Sequence, residues 1–464
     1  MKIVFITPAS WLRRQRFYRL GGSFYGHTNA ITGPLILGHI LKKAGHQVEV
    51  YEELYTTLNY KRLTKGVDVF CLNAMTSTAP RAYELADRFR RETGARVILG
   101  GIHPSTLPEE AAEHADQVIV GEGERVILDV VEGRIRDAVV RAPCVEDLDC
   151  VPIPDYSILK TRCDTANVMS SRGCPYCCSF CTTSRMFRPY RRRSVESVIA
   201  ELRCYKRLGF RYMNFEDDNF TADPDYAKEI CRRMIAEDLV FRETFFFGRT
   251  DLYRDEQLLD LLEQAHLNRV LVGIESLNQQ ALDQVEKHQR VADIEACGAA
   301  LARHKIRLIA SLVLGIDADT PEDIRRSVAF ARQIGAYQLQ PAILTPFPGT
   351  AVYEQYREEG RILTRDWEQF DMMNVTFRPK HMTAWELQKE FMRSSRTFYD
   401  IRSSFQIMAR FGPAYGLRRL GLAAAAKLGT FAEGVAAELG RGSYYYSLKH
   451  GETGTDGAQK AEGL

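Results

Sequence analysis

Four of the eleven cysteines fall within eight residues, in the stretch Ser171-Arg172-Gly173-Cys174-Pro175-Tyr176-Cys177-Cys178-Ser179-Phe180-Cys181. Cys174, Cys178 and Cys181 have the spacing C-x3-C-x2-C, which lets one loop wrap three thiolates around a cubane 4Fe–4S cluster. A cluster that only carries electrons normally has four cysteine ligands. Three ligands leave one iron open, a place to bind and activate a small molecule. Cys177 is the odd thiol out and is expected not to be a ligand. The same residues can be read as two zinc knuckles, Cys174-x2-Cys177 and Cys178-x2-Cys181. A zinc ribbon, however, needs its knuckles roughly 12–20 residues apart to converge on one ion. A disulfide pair fits poorly too: the opening residues lack a signal-peptide pattern, and the other cysteines are scattered as in a reduced cytosolic protein.

The elements that must hold such a loop can be traced on both sides of it. The chain has 464 residues, enough for two or three domains. Charged residues make up 26% and the formal net charge is +2, so no overall field argues for nucleic acid or a membrane surface. No apolar run reaches the roughly 18–20 residues of a spanning helix. A cytoplasmic globular protein is expected.

Ahead of the cysteines, residues 1–130 alternate short β-branched runs with helical stretches. The runs are Lys2–Ile6, Val48–Tyr51, Val67–Leu72, Arg96–Leu99 and Gln117–Val120, with helices predicted over Gly33–Ala44 and Pro80–Glu92. This alternation predicts an α/β domain with a doubly wound, Rossmann-like parallel sheet. Ligands of such sheets lie beyond the carboxyl ends of the strands. Those ends carry Thr7, Thr76-Ser77, Gly100-Gly101-Ile102-His103-Pro104 and Gly121-Glu122-Gly123-Glu124. Residues 131–165, with Pro143, Pro152 and Pro154, read as an extended linker.

From Ala166 to about Gly349 six strand–helix units follow, over residues 166–350. Their strands are predicted at Ala166–Ser170, Tyr212–Phe215, Phe245–Phe247, Arg269–Ile274, Arg307–Leu314 and Tyr337–Leu344. Helices are predicted at about 194–208, 225–237, 255–265, 291–304 and 321–334, with Ser194 and Thr320 as starts. Chemistry in βα barrels lies at the C-terminal strand ends. Here those ends carry Glu216-Asp217-Asp218, Gly248-Arg249 and Ile274-Glu275. Acidic residues after strands also serve as helix caps, and both readings stand at this point. The basic run Arg191-Arg192-Arg193 is either an anion site or an exposed turn. Residues 351–450 read as a helical substrate or lid region, and between 401 and 450 seven Lys or Arg face two Glu. Such a region can pack on the barrel or lie on a membrane surface. Residues 451–464 read as a disordered polar tail.

The cysteine loop resembles the signature of radical S-adenosylmethionine (SAM) enzymes. The phrases Gly-Gly-x-His-Pro and Gly-Glu-Gly-Glu, in that order ahead of it, resemble the N-terminal cobalamin (B12)-binding domain of one large class of them. The resemblance covers roughly residues 1–350. It implies a partial (β/α)6 barrel behind the doubly wound sheet, and three cofactors: a 4Fe–4S cluster on Cys174, Cys178 and Cys181, SAM and cobalamin. By the same resemblance, Phe180 lies by SAM's adenine, while Asp217, Asp218, Arg249 and Glu275 surround its polar groups. Thr7, Thr76, Ser77, Gly100, Gly101, His103, Gly121, Glu122 and Gly123 would meet the cobalamin. The Asp-x-His-x-x-Gly motif of cobalamin-dependent mutases is absent, so no histidine from it would lie beneath the cobalt.

The activity this implies is reductive cleavage of SAM to a 5′-deoxyadenosyl radical, followed by methylation of an unactivated carbon of a small-molecule, lipid or tetrapyrrole substrate. Flavodoxin or ferredoxin would be the electron donor, and the C-terminal region could contact the inner membrane face. Two alternatives remain open: an oxidative cyclase or rearrangement enzyme of the same class, and a non-catalytic iron–sulfur or corrinoid carrier.

Overall fold

The structure is a computed structural model that describes residues 1–10, 14, 28–439 and 443–451. The expected tail beyond Gly451 lies outside the described residues. The chain divides into two compact units, Met1–Pro175 with Thr183–Asp218, and Tyr176–Thr182 with Asn219–Leu464.

The first unit opens with six parallel strands: β1 Lys2–Thr7, β2 Gln47–Glu52, β3 Val69–Asn73, β4 Arg96–Gly100, β5 Gln117–Val120 and β6 Val139–Arg141. Their order is β2-β1-β3-β4-β5-β6. Helix α1 (Thr32–Lys43) and helix α2 (Ala79–Thr93) are among those connecting them. Period-two burial decides which side chain goes where. Val4, Ile6, Phe70 and Leu72 enter one core, and Ile3, Phe5, Val69 and Cys71 enter the other. Both faces are therefore covered, as a parallel sheet requires. On the first side Phe70 stacks on Phe89 of α2, ring centroids 3.9 Å apart.

One strand was not legible. Residues 131–165 were expected to lack strands, yet Val139–Arg141 pairs with Val118–Val120 as β6. Two valines beside a turn give too short a run to signal a strand.

The same unit also contains β7 (Thr165–Val168), paired in parallel with β10 (Tyr212–Phe215). Between them are the short antiparallel pair β8 (Ser171–Arg172) and β9 (Arg191–Arg192), and helix α3 (Val195–Arg207), capped by Ser194, which accepts a bond from Ser197 N.

The second unit carries four parallel strands: β11 Glu243–Gly248, β12 Arg269–Glu275, β13 Arg307–Leu314 and β14 Gln338–Ile343. Its helices include α4 (Pro224–Ala236), α5 (Glu256–Gln264), α6 (Val291–Arg303) and α7 (Pro321–Gln333). Thr320 starts α7 through a capping box with Asp323. The six predicted strand–helix units thus form in the predicted order. Helices α8 (Ala384–Phe398), α9 (Ile401–Phe411) and α10 (Pro413–Leu439) follow. Among the described residues no helix is long and apolar enough to cross a membrane.

Candidate active site

Within the first unit a cavity of about 360 Å3 opens at the carboxyl ends of β3, β4 and β5. That volume is in the range of small-molecule sites. Gly100, Gly101, Gly121 and Gly123 bring bare backbone to its wall, beside apolar residues such as Ile31, Leu37, Ile98 and Ile102. Gly101 is fixed by its turn: φ is 105°, and a Cβ there would fall 2.5 Å from Asn73 Oδ1 and 2.7 Å from the Ala74 carbonyl. At Gly100, by contrast, a Cβ would meet nothing closer than the Ile119 carbonyl at 3.9 Å. The cavity's other wall comes from around the cysteine loop: Ser171, Arg172, Gly173, Thr183, Glu216 and Asp218.

Of the residues expected at a cobalamin, Gly100, Gly101, Gly121, Glu122 and Gly123 line this cavity, whereas Thr7, Thr76, Ser77 and His103 are not among its lining residues. His103 is fully buried and its Nε2 is 3.2 Å from Glu110. Thr7 donates to Glu52 at 3.2 Å. Glu122 lines the wall with its oxygens already engaged. Arg191 holds both of them at 2.8 Å, Arg172 stands at 3.2 Å and Val145 N donates at 2.6 Å. These partners outweigh its burial and hold its carboxyl down at about 2. Arg172 also reaches Glu124 at 2.5 Å. Two of the three arginines in the 191–193 run are thus internal partners, Arg191 of Glu122 and Arg193 of Glu201.

The carboxylates after β10 clamp the cysteine loop from both ends. Asp217, fully buried, accepts bonds from Ser170 N at 3.1 Å, Ser170 Oγ at 2.6 Å and Ser171 Oγ at 2.5 Å. Asp218 is bonded by Gly173 N before the cysteines and by Thr183 Oγ1 after them. Removing the Asp217 carboxylate would strand three buried donors, each costing about 1–3 kcal/mol. Asp217→Ala is therefore expected to lower stability by several kcal/mol, read as the midpoint of denaturant unfolding. A variant as stable as the parent would return Asp217 to a purely ligand-binding reading.

Glu216 turns towards the cavity instead. Burial, and then Asp217, push its carboxyl up to about 7. The folded chain keeps a proton there that the unfolded chain releases at an ordinary Glu value near 4.3. The resulting penalty is absent below about pH 4 and fully present above pH 7. Relative to Glu216→Gln, the parent is expected to lose on the order of 3 kcal/mol of stability between pH 4 and 8. Paired unfolding curves at the two pH values measure this, and parallel pH profiles would refute it.

The chain crosses into the second unit at Tyr176 and returns at Thr183, so Cys174 belongs to the first unit and Cys178 and Cys181 to the second. All eleven cysteines are free thiols. Cys177 is exposed, Cys178 is buried, and a turn bond runs from Cys181 N to the Cys178 carbonyl at 3.0 Å. Among the described residues no three His, Cys, Asp or Glu side chains are gathered at metal-binding distance. Three reduced thiols in one loop nevertheless offer the soft donors an iron–sulfur cluster takes.

In the second unit Glu275 ends β12 with φ 63°, a left-handed conformation uncommon for a residue with a side chain. It pairs with Lys287, a residue that sequence reasoning passed over. The Arg249 guanidinium lies 3.7 Å over the Tyr176 ring. Phe180 is partly buried.

Residues 168–331 match the radical SAM superfamily, and residues 26–131 match the B12 binding domain. The chain is 29% identical over 349 residues to the bacteriochlorophyllide d C-12(1)-methyltransferase of Chlorobaculum tepidum, covering 72% of this chain and 75% of that one. It is 24% identical over 447 residues to the anaerobic magnesium-protoporphyrin IX monomethyl ester cyclase of Cereibacter sphaeroides, covering 87% and 71%. In fold it is similar to the radical SAM methyltransferase TsrM from Kitasatospora setae with cobalamin and a 4Fe–4S cluster bound, with a TM-score of 0.69 at 15% identity, covering 92% of this chain and 99% of that one. Two domain matches in this order, on the sheets and strand ends described above, identify what the chain is built from: a B12 binding domain ahead of a radical SAM domain.

Proposed function

We propose that this enzyme methylates an unactivated carbon of a small-molecule, lipid or tetrapyrrole substrate, using SAM, a 4Fe–4S cluster and cobalamin. The observation that carries the proposal is the glycine-walled cavity. One wall is bare backbone at the strand ends of the B12 binding domain, and the other is the pair of segments that flank the cysteines. A corrin is broad and largely apolar, with amide arms, so glycine backbone and apolar side chains suit its faces.

In this reading Cys174, Cys178 and Cys181 hold the cluster, and Cys177 stays outside it, consistent with its exposure. When bound, the cluster supplies one electron to SAM and the cobalamin supplies a transferable methyl group. The chain's own residues position these partners. Asp217 and Asp218 fix both ends of the cysteine loop. Glu216 and Asp218 face the cavity with carboxyls raised by burial, suited to donate a hydrogen bond to an amide oxygen. Glu275 and Arg249 supply the polar contacts of the second unit to SAM, with Phe180 by its adenine. His103, tied to Glu110, leaves no histidine of that phrase for the cobalt.

Protein purified from cells supplied with cobalamin tests this reading. It should retain corrin, and its cobalt(II) paramagnetic resonance signal should lack nitrogen splitting from a histidine. Protein that retains no corrin would remove the methyltransferase reading.

A second reading, a cyclase or rearrangement enzyme without methyl transfer, is favoured by the long alignment with the cyclase from Cereibacter sphaeroides. Two partners complete the proposal. One is a low-potential one-electron donor such as flavodoxin or ferredoxin. The other is an anionic membrane surface met by α9 and α10, where Ile401, Phe405, Leu417 and Leu428 are each more than half exposed. Co-sedimentation with anionic but not neutral vesicles would support that contact, and equal recovery with both would remove it.

A further inference from the structure

The turn after β5 is tied to the strand that leads into the cysteine loop by charged side chains, all within the first unit. Arg172, on β8, stands two residues before Cys174. Its guanidinium reaches both carboxylates of the turn, Glu124 at 2.5 Å and Glu122 at 3.2 Å, with its side chain 9% exposed. Arg191, which β9 sets opposite Arg172, closes the set by holding both oxygens of Glu122 at 2.8 Å. Two cations thus meet two anions out of bulk water. Charge-assisted bonds of this kind are the strong ones, and a bidentate pair also fixes geometry.

Both tied segments are walls of one cavity. The turn lines it with Gly121 to Glu124, and the cysteine side with Ser171 to Gly173. Past Arg172 the backbone has little freedom of its own. Gly173 is left-handed, with φ 80°, and a Cβ there would run into the Phe187 carbonyl. Its N–H is taken by Asp218. Cys174 follows directly, so a shift of Arg172 moves the cavity wall and the backbone of Cys174 together. A ligand that touches both walls favours the arrangement in which the bridge joins them. A cluster that fixes the chain at Cys174 favours the same arrangement, and by linkage each then strengthens the other.

We propose that Arg172 is a positioning residue that couples the two cofactor sites: through its bridge to Glu122 and Glu124, a cluster held at Cys174 tightens corrin binding, and a bound corrin tightens the hold on the cluster. The inference rests on the reading of the cavity as the corrin site and of Cys174 as a cluster ligand. What is coupled is two binding equilibria, with no bond between reactants made or broken and no electron moved.

The test is anaerobic equilibrium dialysis of the full-length protein against hydroxocobalamin, before and after reconstitution of the cluster, read as cobalt per chain. The cluster-bearing parent is expected to bind roughly tenfold more tightly than the cluster-free parent, an ordinary size for a coupling between sites. In Arg172→Gln the ratio of the two dissociation constants should fall to about one, and Arg172→Lys, which keeps the charge, should retain part of it. A residue that only stabilised the fold would weaken both forms alike and leave the ratio at the parent's value. That result overturns the inference. Glu122 keeps Arg191 when Arg172 is replaced. Should Arg172→Gln nevertheless fail to fold, Glu124→Gln, which removes one arm of the bridge, carries the test. A lowered ratio there supports the inference, and an unmoved ratio overturns it equally. A parent that binds corrin with the same affinity in both forms overturns the inference and leaves the functional reading standing. A parent that binds no corrin or assembles no cluster removes that reading instead.

Discussion

Alanine at Cys174, Cys178 or Cys181 is expected to abolish the 4Fe–4S cluster, while alanine at Cys177 leaves it in place. The spacing singles out the three, and the structure adds a physical contrast between the adjacent pair. Cys178 is buried and takes part in the turn bond from Cys181 N, whereas Cys177 is exposed. A cluster sulfur must be sheltered and held, and the Asp217–Asp218 clamp holds both flanks of this loop. Iron and sulfide content after anaerobic reconstitution, with the reduced paramagnetic signal, measures the effect. Each of the three single variants should fall by roughly a hundredfold or more, beyond the roughly 10–100-fold that the loss of a supporting residue alone costs. A Cys177→Ala variant that loses the cluster, beside a Cys178→Ala variant that keeps it, would exchange the two assignments.

The second large effect concerns cobalamin. Gly100→Trp should cut corrin retention by roughly tenfold or more, which corresponds to about 1.4 kcal/mol of lost binding. Gly100 lines the cavity, and its own surroundings accept a Cβ, the nearest atom being 3.9 Å away. The added ring therefore competes with the ligand rather than with the fold. Gly101→Ala is the contrasting change: it forces a Cβ against Asn73 and Ala74 at positive φ and should lower stability. Cobalt content per chain, read with the melting temperature, separates the two. Full corrin loading of a well-folded Gly100→Trp protein would move the cobalamin elsewhere.

Most of the architecture was legible because it rests on periodicity. The six strand–helix units and the helix starts at Ser194 and Thr320 all follow from apolar spacing and capping chemistry. The site was legible at the level of loops but not of side-chain direction. Glu216, Asp217 and Asp218 are consecutive carboxylates, and nothing in their order says that Asp217 turns inward to two serines while Glu216 and Asp218 face the cavity. Arg191 and Arg193 read equally well as an exposed basic turn, because their partners Glu122 and Glu201 are set by tertiary folding. Lys287 gave no signal at all, because only the folded chain pairs it with Glu275.

The most direct measurement of the central claim is the pair of products formed from SAM. Reconstituted, cobalamin-loaded protein is incubated anaerobically with SAM and a low-potential reductant, and 5′-deoxyadenosine and S-adenosylhomocysteine are quantified together. A methyltransferase that uses SAM both as radical source and as methyl donor must form both, S-adenosylhomocysteine only when cobalamin is present. Formation of 5′-deoxyadenosine alone, unchanged by cobalamin, would contradict methyl transfer and leave the cyclase reading, and formation of neither would contradict the enzyme reading itself.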